Sequence, residues 1–140
     1  MAQMLSTAGV GVVEYRISDV EPNVIDARYM STGSMVQKPG AICLGRAQGD
    51  TANGFPGEYQ IRYFDAEGRP VGDFDWRIEA VGDGFQLTWR NRPGNSLPVA
   101  PGCVVFEGFG FRNSEGSIAV AYWLSAEVTE ALEARAAPPA

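Results

Sequence analysis

Residues 57–90 read GEYQIRYFDAEGRPVGDFDWRIEAVGDGFQLTWR, three runs of period-two alternation separated by turn chemistry. In Glu58–Asp65, Tyr59, Ile61 and Tyr63 share one face and Gln60 and Arg62 the other. Ala66-Glu67-Gly68 turns the chain into Val71–Val81, where Phe74, Trp76, Ile78 and Ala80 alternate with Asp73, Asp75, Arg77 and Glu79. Asp83-Gly84 is a two-residue hairpin signal. After it, Phe85, Leu87 and Trp89 oppose Gln86, Thr88 and Arg90. Alternation of this regularity, bounded by turn residues, specifies half-buried antiparallel strands.

The same reading extends in both directions. Val10–Ile17 alternates Val13, Tyr15 and Ile17 with Glu14 and Arg16, and Glu21-Pro22-Asn23 then turns the chain. Val24–Met30 places Ile25, Ala27 and Tyr29 on one face, and Ala41–Ala47 is a third strand weakened by Gly45. No periodicity assigns 31–38, and Gln48–Gly57 is a turn-rich loop. Asn91–Gly102, with three prolines, is a long connection of a length that is often functional or mobile. Cys103–Arg112 is apolar on both faces, which requires a cover on its outer side, and Ser117–Leu124 is the last strand. Ser125 then caps a short helix, AEVTEALEAR, whose expected seat is strand 103–112 because so short a helix is marginal alone.

Seven or eight strands in sequential hairpins, closed by one C-terminal helix, predict an all-β antiparallel up-and-down barrel, since closure removes the exposed edges of an open sheet. A two-sheet sandwich is the alternative. The expected domain spans 1–136, with 137–140 as a disordered tail. The barrel resembles the calycin-type barrels, the lipocalin and avidin relatives, in outline. The Gly-x-Trp of lipocalin first strands is absent, since Gly11 is followed two residues on by Val13, so no family site residue carries over.

Composition narrows the chemistry. A hydrophobic content of 45% with 20% charged residues supports a packed domain rather than a disordered chain. A formal charge of −6 argues against nucleic acid and anionic membrane surfaces as partners. No apolar run reaches the length of a membrane span, and the N-terminus lacks a basic region ahead of its apolar residues, so a cytoplasmic location is expected. Cys43 and Cys103 form no CxxC pair and are expected as free buried thiols. The chain has no histidine, which removes the usual neutral-pH base and the usual nitrogen ligand of metals and haem. No metal site and no cofactor is expected.

Three motif matches fail on inspection. Gly108-Phe109-Gly110-Phe111 has the spacing of an RNA-recognition strand but is preceded by Glu107 and lacks the terminal aromatic. The glycine spacings at 40–45 and 49–54 do not continue into Lys-Ser or Lys-Thr. Asp65, Glu67 and Gly68 do not recur as a calcium loop requires.

What remains is a constellation. The inward faces gather Tyr15, Tyr29, Tyr59, Tyr63, Trp76 and Trp89, with Phe85, Phe109 and Tyr122 as further ligand-lining candidates. Such rings either fill the interior or line a pocket for a flat, mostly apolar molecule; eight strands accommodate both arrangements. Glu107 is the one acid among Cys103, Val105, Phe109 and Phe111. It is either an ion-pair partner of Arg90 or an acid–base group. The expected function is binding of a small flat ligand inside the barrel. One alternative is a cofactor-independent isomerase, cyclase or lyase in which Glu107 moves a proton while Tyr63 or Tyr59 donates to a developing oxyanion. The other is an oligomerisation module, a homodimer built on the helix and the two-sided strand.

Overall fold

The computed structural model describes residues 9–136, so the expected tail at 137–140 lies outside the described residues. Eight strands, β1 (Val10–Ile17), β2 (Val24–Ser31), β3 (Cys43–Gly49), β4 (Gly57–Phe64), β5 (Pro70–Val81), β6 (Gly84–Asn91), β7 (Val104–Ser114) and β8 (Ser117–Leu124), form a closed barrel in sequence order. Every pairing is antiparallel, and β8 closes the ring on β1 through the register Val10↔Trp123 to Arg16↔Ser117. The sandwich alternative is thereby set aside.

The opening meander forms as its alternation requires. Tyr59↔Trp76↔Trp89 and Ile61↔Phe74 lie opposite one another on the inner wall, and Arg62↔Asp73, Gln60↔Asp75 and Arg77↔Thr88 on the outer. The hairpin differs by one residue from its sequence signal: Val81 pairs with Gly84, so the turn is Gly82-Asp83. Gly82 has φ +55°, and Asp83 is not among the residues of positive φ. A two-residue turn with glycine first relieves the strain there, and Gly84 begins the next strand.

Hairpin ends alternate between the two rims. At one rim the 50–56 loop folds inward and plugs the barrel with Phe55, which is fully buried and meets Phe85 edge-on at 5.9 Å between centroids. The Arg112 guanidinium lies over both rings at 5.8 and 5.7 Å. Tyr59 donates its hydroxyl to the Phe55 carbonyl at 2.8 Å, which fixes the plug. At the other rim the unassigned stretch 31–38 becomes a six-residue helix, α1 (Thr32–Gln37), with a reciprocal cap between Ser31 and Ser34.

Strand β7 carries its two apolar faces for two reasons. Phe106, Gly108 and Gly110 face inward, opposite Trp89, Leu87 and Phe85, while Val105, Glu107, Phe109 and Phe111 face outward. Helix α2 (Ala126–Ala136) covers only the first part of that outer face, where Val105 and Val128 are both fully buried. Ser125 makes the junction: its Oγ accepts from the Val128 amide at 3.2 Å and donates to the Val104 carbonyl at 2.6 Å. Both cysteines are free, Cys43 buried on the inner wall and Cys103 half-buried. Among the described residues no helix is long and apolar enough to cross a membrane.

Candidate functional site

The open rim holds a cavity of about 430 Å³ within the size range of small-molecule sites. Its floor is aromatic: Tyr29, Tyr63, Phe74, Trp89, Phe106 and Tyr122. Its upper wall comes from Ser31, Thr32 and Gly33 at the start of α1, and from Asn95, Ser96 and Leu97 of the β6–β7 connection. Among the described residues no Asp, Glu, Lys or Arg lines it.

The long connection, expected from its length to be functional or mobile, is held in place by two asparagines. Asn95 Nδ2 donates to the Asp73 carbonyl at 2.6 Å and to Asn91 Oδ1 at 3.0 Å, and its Oδ1 accepts from the Asp73 amide at 3.2 Å. Asn91, itself buried, donates to the Val99 carbonyl at 2.8 Å. These bonds satisfy backbone groups that the prolines leave without ladder partners, and they set Leu97 over the cavity.

Below the cavity the rings are close-packed. Tyr15, fully buried, lies 4.6 Å from Trp76 between centroids, and Trp76 lies 6.1 Å from Trp89. The Trp89 indole donates to the Tyr63 hydroxyl at 2.7 Å, and the Tyr63 and Tyr15 oxygens are 2.7 Å apart. Tyr29 donates to the Phe64 carbonyl at 2.9 Å. The Trp76 indole N–H is buried with no hydrogen-bond partner among the described residues. Burial raises every one of these phenols. Tyr15 and Tyr63 stand far above the ordinary tyrosine range, although the Tyr15 and Trp89 hydrogen bonds pull Tyr63 the other way. Tyr29 and Tyr122 are raised for the same reason, and burial with Asp50 nearby pushes Tyr59 up to about 12. The site therefore presents neutral O–H donors on an apolar wall throughout the physiological range.

The sequence candidates divide by position. Tyr29, Tyr63, Trp89 and Tyr122 line the cavity. Tyr15 and Trp76 lie beneath it as packing. Tyr59 and Phe85 belong to the plug at the opposite rim. Phe109 is on the outer wall, 61% exposed, and does not line this cavity. Glu107 is likewise exposed on the outer wall, opposite Thr88 and Trp123, so it shares no cavity with Tyr63 or Tyr59. The expected ion pair is not formed either: Arg90 donates to the Gly102 carbonyl at 3.0 Å. A bulge at Trp89/Arg90 offsets the two strands at that point. Sequence reasoning missed Phe74, Phe106, Leu97 and the α1 rim. Phe106 was legible as the inward alternate of Val105, while α1 has no periodic signal to find.

The chain matches no family model, no curated protein and no solved structure.

Proposed function

We propose that this barrel binds a small, flat, mostly apolar or aromatic molecule at its open rim. The observation that carries this reading is the uncharged aromatic cavity of about 430 Å³, floored by phenols that burial keeps protonated. Ionic ligands would enter such a site without a counter-charge, at a high desolvation cost. The acid–base alternative loses its proton-transfer group with Glu107 outside the wall. Titration with N-phenyl-1-naphthylamine, a neutral planar fluorophore, tests the proposal. Saturable one-to-one binding is expected, strongly weakened by Val71→Arg at the rim and unchanged by Ala121→Arg on the outer wall. Binding indifferent to Val71→Arg would overturn it.

A second observation favours self-association through the outer wall. Phe109, Ala121, Val12 and Met30 form an apolar row across four neighbouring strands, extended by Ile42 along a groove of about 440 Å³. The next row reads Phe111, Ala119, Glu14, Arg28 and Leu44. Phe111 is 62% exposed and Val12 60%, so large apolar side chains stand open together on one wall. Its one ion pair, Glu14 with Arg28 at 3.0 Å, suits a two-fold axis, because each acid can meet the arginine of the other copy. The occupant is thus a second copy of this chain. Sedimentation should show a dimer that Ala121→Arg and Glu14→Arg each dissociate and that Glu14→Arg with Arg28→Glu restores. A monomer at all concentrations, or a dimer blind to these changes, would reject the interface.

A further inference from the structure

We infer that Tyr63 presents a free O–H to the cavity, so that the ligand carries a carbonyl or comparable acceptor oxygen set against it. The inference rests on the ligand-binding reading of the open rim and adds the chemical group that the ligand must bear.

The argument is a proton count. Trp89 Nε1, Tyr63 and Tyr15 form a chain with two short contacts of 2.7 Å each, and no other partner for either hydroxyl lies within hydrogen-bond distance among the described residues. The chain owns three donor hydrogens: one indole N–H and two phenol O–H. Two are used along it, and one is left over. The indole can only donate, so the Tyr63 oxygen accepts from Trp89 in either arrangement. If Tyr63 donated to Tyr15, the spare hydrogen would be the Tyr15 O–H, which is fully buried beneath the cavity with nothing to receive it. If Tyr15 donates to Tyr63, the Tyr63 oxygen uses both lone pairs and its own hydrogen is spare. Tyr63 borders the cavity, where a ligand or water can accept. A donor sealed away unsatisfied costs its full desolvation, so the second arrangement wins.

The Tyr29 hydroxyl is committed to the Phe64 carbonyl at 2.9 Å, while Tyr122 stands on β8, across the barrel from β4, so that Tyr63→Phe separates the two donors. Tyr63 is also fixed in direction. Its ring lies against the inward glycine Gly45, where a Cβ would come within 2.8 Å of Cδ1, and it stands edge-on to Tyr29 at 5.2 Å. A donor fixed before the ligand arrives loses little entropy on binding.

The test compares two neutral probes of matched shape, 2-acetylnaphthalene and 2-ethylnaphthalene, by calorimetry on the full chain. The ketone should bind roughly three- to tenfold tighter, the value of one well-placed neutral hydrogen bond. Its carbonyl stretch should move to lower wavenumber when bound. Tyr63→Phe should abolish the preference while sparing the hydrocarbon. Tyr15→Phe should leave the preference intact, because Tyr15 only donates into the chain. Absence of preference in the native protein with its appearance in Tyr15→Phe would show that Tyr63 donates inward, and would overturn the inference. Equal binding of both probes at a rim sensitive to Val71→Arg would overturn it while leaving the pocket standing. Failure of both probes to bind at that rim would remove the pocket and the inference together. Should Tyr63→Phe fail to fold, the native and Tyr15→Phe comparisons with the infrared shift decide alone.

Discussion

Gly45, read in the sequence as a weakness in a strand, has a positive role once the barrel closes. It faces inward between Ala27 and Tyr63, and the tyrosine ring occupies the space that a side chain would take. Gly11 stands in the same relation to Tyr122 on the other side of the cavity. Small inward residues beside large ones let a narrow barrel take more rings than its strand count would otherwise admit. Gly45→Ala should therefore destabilise the protein by about 1–3 kcal/mol, the usual cost of overpacking. It should also weaken N-phenyl-1-naphthylamine binding, because Tyr63 is the ring that must move. Urea unfolding and probe titration on the same variant check both effects; an unchanged midpoint would mean that Tyr63 has slack the structure does not show. Alternation alone told that Tyr63 and Tyr59 face inward, but nothing local distinguishes the open rim from the plugged one. That distinction comes from Phe55, a residue in a loop with no periodicity, whose burial sends Tyr59 to the plug.

The elements differ in how far their local chemistry determined them. Strands with one polar and one apolar face, β1, β4, β5 and β6, follow from the sequence almost to the residue, because a one-residue slip would bury Arg62, Asp75 or Arg77. Strand β7 is apolar on both sides, so the same logic has no purchase, and Glu107 and Phe109 could be placed on either wall until the pairing with β6 was known. Helix α1 is six residues long and has no buried residue, which leaves no hydrophobic stripe to detect. Helix α2 was legible through its cap and its need for a seat. That seat is held at one point by Ser125, which bridges the helix amide of Val128 and the Val104 carbonyl of β7. Ser125→Ala removes both bonds and strands a carbonyl at the junction. A loss of about 1–2 kcal/mol is expected. Amide exchange should accelerate in α2 far more than in β1–β6; uniform acceleration would mean that the helix is part of the barrel's cooperative unit rather than an addition to it.

For the molecule as a whole, the concentration of tyrosine inside the barrel sets its response to alkali. The chain has five tyrosines and no histidine, and burial raises all five phenols. An unfolded tyrosine ionises near pH 10, whereas Tyr59 in the barrel holds its proton to about 12 and Tyr15 and Tyr29 beyond that. Below pH 10 both states carry the proton and stability does not depend on these groups. Above it the unfolded chain binds fewer protons than the native one, so stability falls as pH rises and continues to fall until the folded pKa values are passed. Each such tyrosine lowers stability by about 1.4 kcal/mol per pH unit, and the five lower it together by about 7 until Tyr59 is passed near 12. Against a typical net stability of about 5–15 kcal/mol, that slope exhausts the fold within about one to two units above pH 10. The expected result is a cooperative alkaline transition in which tyrosinate absorbance and loss of the barrel's circular dichroism coincide. Tyr15→Phe should flatten the slope of stability against pH by about a fifth, once its lower starting stability is allowed for. A smooth ionisation near pH 10 with the circular dichroism unchanged would show that solvent reaches the phenols, and that the interior is open well below the floor of the cavity.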